Sequence, residues 1–498
     1  MKKSILHQVK TNGKILDGMC YVLQCDDGST VVIDGGMDED AEILLDYLKK
    51  ITGENVPVVD MWFLTHAHPD HTFCCKGMGE RHSDKIEVKK IYYEFPSLDF
   101  KKKRDPGTVG ECERFHKAVA NFEGVELITS KRGDSFKFGD VLIDVLFSYS
   151  DLPSLDEDPT QGTNDTSTVL RVTCRGQTIL FLGDVQEAGD KVLIDLYGDK
   201  LKSDVCQVAH HGSFSSTAEF YDYVDPSILL WPSRDDRMAT QLTKVRASRH
   251  LVGEMKVKDI YLAGHGSVAL ELPIRVRETP FLPELPPVKT KELKARMSVK
   301  KAVNIPEKLS LDSDIWNETE YLPFDGHSRV IGERPEAAFK LLWDDNGLYV
   351  MAKVNRAFCS NPDKVGSGVT DSVRVYITER ACTDYLKFWN DVRGTKGNND
   401  NIKFYPEDKN FPDGKRNTNL PEKCTAFSTS AEDGWTACAF IKFDLPHSEG
   451  DIIGLNVELN VANKEGLRIA HMNIGDKCDG DCWFNVRMSD LVFVRLEK

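Results

Sequence analysis

What this 498-residue chain has little of bounds it first. No stretch approaches the ~20 consecutive apolar residues that a membrane-spanning helix needs, so no membrane partner is expected. At the start, Lys2 and Lys3 run into Ser4-Ile5-Leu6-His7-Gln8, where polar residues break the apolar core of an export signal. The expectation is a soluble, cytoplasmic protein. A disulfide framework is missing too: 13 cysteines lie mostly singly between Cys20 and Cys482, which suits a reducing compartment. Cys478 and Cys482, in Cys-Asp-Gly-Asp-Cys, lack the second pair of a zinc knuckle. Positive charge is short, with 64 Lys and Arg against 79 Asp and Glu; the net charge of -15 disfavours a broad nucleic-acid surface. Histidine is scarce at 13 residues, so a local concentration of it is informative.

Such a concentration exists. Met61 to His71 reads MWFLTHAHPDH, in which the apolar run Met61-Trp62-Phe63-Leu64 has the pattern of a strand buried on both faces. It delivers the chain to His66, His68, Asp70 and His71. His66 and His68 stand two apart at a strand end, so their imidazoles project to one side and can share one ion. Pro69 then turns the chain, and Asp70 with His71 can face a second. The competing reading is a solvated, histidine-rich loop.

His66-x-His68-x-Asp70-His71 after an apolar strand resembles the signature of the metallo-β-lactamase superfamily, and further stretches resemble that family in order. Ser29 to Gly36 is similar to its early strand ending in Asp-Gly, Ile179 to Asp184 to the strand whose aspartate bridges two metals, and Val205 to His210 to the strand ending in the last histidine ligand. The forms Asn164-Asp165-Thr166-Ser167 and His210-His211-Gly212-Ser213 resemble one branch, that of competence-channel hydrolase domains and bacterial phosphorylcholine esterases. The resemblance implies two Zn²⁺ ions, with Mn²⁺ or Fe as alternatives. His66, His68 and Asp184 would hold the first, and Asp70, His71, Asp184 and His210 the second. Asp34 would hydrogen-bond the ligand loop without touching metal. The family's further histidine for the first ion has no counterpart, because no His occurs between Lys117 and Ala209; Asn164, Asp165 or water is expected to fill that place.

Adjacent side chains on a strand point apart, so only one of His210 and His211 is expected to be a ligand. The choice falls on His210. His211, with Ser213, is placed to meet substrate oxygens; Asp70, Asp184 and His211 are the residues expected to take part in the chemistry. His265, in a Gly-His-Gly turn, is a weaker substrate-side candidate, its alternative being a structural histidine.

Coarse patterning places the family's strands and helices through residue 278. Lys101-Lys102-Lys103-Arg104 reads as a solvated loop, a phosphate clamp being the alternative. Residues 279–301, rich in proline and then basic, read as a linker. From residue 302 to 498, short β-rich runs between Gly, Pro, Asn and Asp clusters predict an antiparallel sandwich. Leu342 to Val350, Asp371 to Ile377, Gly434-Trp435 and Ile453 to Val457 resemble family 9 carbohydrate-binding modules. Trp343 and Trp435 lie in alternating strand text and are expected in the core, whereas Trp389 and Trp483 flank loops and are candidate sugar platforms.

The expected architecture is therefore an αββα metallo-β-lactamase sandwich (1–278) followed by an all-β antiparallel sandwich (302–498). The expected activity is phosphoester or phosphodiester hydrolysis by hydroxide generated at the ions, on a small-molecule or saccharide-linked ester. Carboxylic ester, lactone or thioester hydrolysis on the same metals is the first alternative. A non-catalytic saccharide-binding protein with a vestigial metal domain is the second, and a nuclease is disfavoured by the acidic balance.

Overall fold

The computed structural model describes residues 3–12, 18–105, 109–155, 157–158, 161–213, 216–288, 290, 292–326, 328–357, 359, 371–379, 381, 400–404, 424–464, 468–475 and 491–498. They form two compact units, Met1–Pro287 and Val288–Lys498. No helix among the described residues is long and apolar enough to cross a membrane.

In the first unit two seven-stranded sheets face each other. One runs, edge to edge, Val268–Glu271, Ile5–Gln8, Cys20–Gln24, Thr30–Asp34, Met61–Phe63, Lys90–Tyr93 and Glu126–Thr129. Its first four strands are antiparallel and the remaining joins parallel. The other sheet runs Asp259–Leu262, Ile228–Trp231, Val205–Gln207, Gln177–Phe181, Val169–Cys174, Val141–Phe147 and Ser135–Phe138. Its first four strands are parallel and the rest antiparallel.

Alternation of side chains along each strand sorts the core into three layers. Tyr21, Leu23, Val31, Ile33 and Phe63 meet Val172, Phe181, Val205 and Leu230 between the sheets. The opposite faces are covered by helices: Leu44, Leu48, Cys74, Met78 and Phe115 pack on Val22, Val32 and Trp62. Leu193, Phe220, Leu242 and Leu251 pack on Leu180, Cys206 and Leu229. Both faces of every central strand are thus apolar, which is why these strands read as continuous apolar runs. The layers are α, β, β, α.

Three expectations differ from the structure. The first unit extends to Pro287, because Asp259 accepts from the Arg277 and Phe281 amides and from the Arg277 guanidinium, and Leu285 lies against Gly253. Residues 297–301, expected as linker, are a strand lying parallel to Ala337–Asp344 and Val492–Glu497. The basic run at 101–104 is no loop either: Leu98–Arg104 is a helix, capped by the Ser97 hydroxyl accepting from the Phe100 amide.

The second unit is all-β. Antiparallel pairs Ala337–Asp344 with Gly347–Val354, Gly347–Val354 with Trp435–Lys442, and Ser372–Thr378 with Ile452–Ala462 enclose an apolar core. Trp343 and Trp435 are fully buried in that core. Trp389 and Trp483 lie outside the described residues, as do Cys478 and Cys482.

Candidate metal centre

The site forms where strand ends of both sheets meet. Strand Met61–Phe63 releases the chain into Thr65–His68, and Pro69 starts the helix Pro69–Arg81 with its fixed φ at the first position. Asp70 and His71 consequently sit in the first turn of that helix. His66 Nε2 and His68 Nδ1 approach to 3.0 Å, so the two-apart spacing does bring their nitrogens together.

From the second sheet, Gln177–Phe181 leads through Gly183 to Asp184. Gly183 has φ 56, and a Cβ there would stand 2.9 Å from Ser167 and Thr65 atoms. Gly183→Ala therefore costs about 2 kcal/mol or more, from the left-handed backbone and the contact together; a denaturant melt of the purified protein measures it.

Asp184 divides the site. Its Oδ1 stands 3.1 Å from His71 Nε2 and 3.7 Å from His211 Nε2, and its Oδ2 stands 3.8 Å from both His66 Nε2 and His210 Nε2. Asp70 Oδ2 is 3.5 Å from His211 Nε2. Two ligand-bearing groups result, Asp70, His71, Asp184 and His211 on one side and His66, His68 and Asp184 on the other. Their inward atoms His71 Nε2, His211 Nε2 and Asp184 Oδ1 are buried without a hydrogen-bond partner, as is Asn164 Oδ1 nearby. Orphaned polar atoms of this kind are costly in a folded core. Imidazole nitrogen and carboxylate oxygen aimed at common points fit a pair of divalent cations.

Carboxylates and imidazoles compensate one another's charge: burial opposes charge on His71, yet Asp184 and Asp34 hold it well above the ordinary imidazole value. Burial opposes charge on Asp184, yet the adjoining charges of His71, His211 and His210 hold its carboxyl well below the usual range. Burial also opposes charge on Asp70, and His211 and His71 hold it down likewise. Burial, and then the charge on His71, push His66 well below the ordinary imidazole value, leaving it neutral with an available lone pair.

Each ring's outward nitrogen has a partner. His71 Nδ1 donates to Asp34 Oδ2 at 2.7 Å, and Asp34 also accepts from the Thr65 amide and hydroxyl. His211 Nδ1 donates to the Pro232 carbonyl at 2.8 Å, and His66 Nδ1 stands 3.2 Å from Thr65 Oγ1. Such contacts fix tautomer and ring orientation. Strain also collects here: Asp34, His210 and His211 are three of the five non-glycine residues with positive φ among the described residues.

The structure differs from expectation at the adjacent histidines. The strand ends at Gln207, and His210 and His211 both adopt left-handed backbone in a short turn. Strand alternation does not reach them. Their rings approach opposite oxygens of Asp184, and it is His211, 1% exposed at its side chain, that joins Asp70 and His71. His210, 24% exposed, takes the other side, where Asn164 Nδ2 and Gln186 Nε2 stand at 3.3 and 3.5 Å from its nitrogens. The place left open by the missing third histidine is thus bordered by His210 and Asn164. Asp165 does not fill it, because its oxygens accept from the backbone amides of Gly162, Gln186 and Gly189. Ser213 Oγ accepts from Arg237 and Gln241. His265 pairs with Asp235 at 2.7 Å and lies edge-on to Phe281, a surface contact.

The second unit also holds a polar array to which the aromatic residues of the sequence do not point. Register places Ser372, Arg374 and Tyr376 beside Asn460, Glu458 and Asn456, with His471 and Asn473 on the next strand, all on the face opposite the apolar core. Ser372 Oγ, Asn456 Nδ2, Asn460 Nδ2 and Asn473 Oδ1 are buried there without a hydrogen-bond partner. The signal was available in the strict alternation of polar residues along Asn456-Val457-Glu458-Leu459-Asn460.

Comparison with known proteins bears on both units. Residues 14–228 match the Metallo-beta-lactamase superfamily model, and residues 311–488 match Carbohydrate family 9 binding domain-like. ComE operon protein 3 of Bacillus subtilis (strain 168) is 29% identical over 171 residues, covering 34% of this chain and 19% of that protein. Endo-1,4-beta-xylanase A of Thermotoga neapolitana is 28% identical over 173 residues, covering 33% and 14% respectively. The match thus spans a fifth or less of these curated relatives. Among solved structures, a family 9 carbohydrate binding module from Caldicellulosiruptor kristjanssonii in complex with glucose has 22% identity and a TM-score of 0.31, covering 40% of this chain and 95% of that one. The metallo-beta-lactamase fold protein YhfI from Bacillus subtilis has 12% identity and a TM-score of 0.32, covering 54% and 100%.

Proposed function

We propose that this chain, a metallo-β-lactamase superfamily domain followed by a domain like the family 9 carbohydrate-binding modules, hydrolyses phosphoesters with a pair of divalent cations and binds a saccharide through its second domain. One observation carries the reading: two clusters of ligand atoms share Asp184, and three of their inward atoms are buried with no hydrogen-bond partner. His66, His68 and Asp184 would hold one ion, bordered by His210 and Asn164. Asp70, His71, Asp184 and His211 would hold the other. When bound, such a pair lowers the pKa of a water toward ~7 and neutralises charge on the bond being cleaved; zinc is the ion this nitrogen and oxygen set suits.

The chain's own residues do the remaining work. Asp34 and the Pro232 carbonyl keep His71 and His211 in the tautomer that turns Nε2 inward. Asp184, His66, His71 and His211 are each 1% exposed or less, and burial of this kind strengthens the charge interactions among them.

The phosphoester class rests on the Asn164–Ser167 and His210–Ser213 stretches, whose form resembles the competence-channel and phosphorylcholine esterase branch. In the structure these stretches touch, Asn164 Nδ2 standing 3.3 Å from His210 Nε2. A chromogenic panel of phosphodiesters, phosphomonoesters, lactones and thioesters tests the class: metal-dependent turnover is expected on a phosphoester, and turnover confined to lactones or thioesters moves the activity to that chemistry on the same ions.

For the second domain, the polar array on strands Ser372–Thr378, Ile452–Ala462 and Arg468–Asn473 offers the donors and acceptors a polyhydroxylated ligand needs. Calorimetry with cello- and xylo-oligosaccharides is expected to show binding that Asn460→Ala weakens tenfold or more, about 1.4 kcal/mol. No heat with any oligosaccharide removes the saccharide assignment.

A further inference from the structure

Of the four imidazoles in the two ligand clusters, three are backed by the sheet ends. His71 leans on Asp34, His66 on Thr65 and His211 on the Pro232 carbonyl. His68 is the exception. Its side chain is 24% exposed, its Nδ1 faces His66, and its Nε2 stands 3.4 Å from Asp105 Oδ2 at the end of the Leu98–Arg104 helix. The same Asp105 oxygen accepts from Lys101 Nζ at 3.0 Å.

Lys101 is unusual in its own right. It belongs to the run of four basic residues, yet it is only 1% exposed, and lysine is almost never fully buried unless paired. Besides Asp105, its ammonium stands 3.4 Å from the carbonyl of Ala67, the residue between the two histidines of the loop. Burying that cation costs several kcal/mol unless its donors are used, and both of these acceptors belong to the frame of His68. A lysine serving solubility would sit in water, as its position in a charge run suggests; this one ties the loop at Ala67 to the carboxylate that faces His68.

We propose that Asp105 is the positioning residue of His68, fixing the tautomer and tilt with which this ring meets its ion, and that Lys101 fixes Asp105 against Ala67. The occupancy of the His66–His68 side of the centre then depends on the Leu98–Arg104 helix, while the Asp70–His71–His211 side does not. This inference rests on the two-ion reading above.

Zinc affinity of each ion, measured by competition with a chromophoric chelator on the full chain, tests it, with cobalt substitution as a spectroscopic check. Asp105→Ala is expected to weaken one of two ions ten- to a hundredfold and to leave the other unchanged. It should shift the visible absorption of one cobalt ion only. Asp105→Glu should restore most of the loss, and Lys101→Met should weaken the same ion. A melt of the chelator-treated variants reports folding separately. Two ions lost together, or neither affected, overturns the assignment of Asp105 while leaving the dinuclear reading in place. A wild-type chain that takes up no ion overturns both.

Discussion

Asp184→Asn is expected to reduce metal-dependent phosphoester turnover by roughly a thousandfold or more. The substitution keeps the shape of the side chain and leaves the Asp184 amide on the Ser167 hydroxyl. What it removes is charge and one acceptor. In the native protein the two carboxylate oxygens face four imidazoles, at 3.1 and 3.7 Å on one side and 3.8 Å twice on the other. An amide offers one oxygen to one side and turns a donor toward the other, so a shared ligand position no longer exists. Charge stabilisation by a bound cation amounts to several kcal/mol, and about 1.4 kcal/mol is a factor of ten in rate. Metal analysis of the variant should show both ions depleted. Unchanged turnover would end the proposed mechanism.

Removing His211 and removing His210 should have different outcomes. His211→Ala takes a buried ring from between Asp70 and Asp184. The two carboxylates then have only His71 facing them on that side, so metal content is expected to fall from two ions to one and the rate by roughly a hundredfold or more. His210→Ala removes a ring with a quarter of its surface in water, placed beside Asn164 and Gln186. It should leave the ion at Asp70 and His71 in place and weaken the other. Stoichiometric metal analysis of the two variants decides this, and the reverse pattern would restore His210 as the ligand beside Asp70.

That pair also marks where reading the sequence failed. The rule that neighbouring strand residues point apart is sound for a strand, and Val205–Gln207 obeys it. The chain leaves the strand before the histidines, however, and two successive residues with φ near 50 turn both rings toward one carboxylate. Nothing in the local text announces left-handed backbone at two histidines; tertiary packing imposes it, with Gly212 pressed on the Trp231 ring and the indole donating to the His211 carbonyl. Lys101 failed for a related reason. Four consecutive basic residues read as a solvated run, and only the packing of the helix against the metal loop selects one of them for burial.

The sequence by itself determined the αββα and all-β classes, and it singled out His66, His68, Asp70, His71 and Asp184 as candidates for one site. Apolar periodicity and ligand spacing are local properties, and strands buried on both faces leave little choice of layer. Which of two adjacent histidines completes the buried cluster, which lysine leaves solvent and where each domain begins and ends were decided by the tertiary structure. Those choices depend on contacts between segments distant in the chain, whose desolvation and backbone strain no short stretch of sequence records.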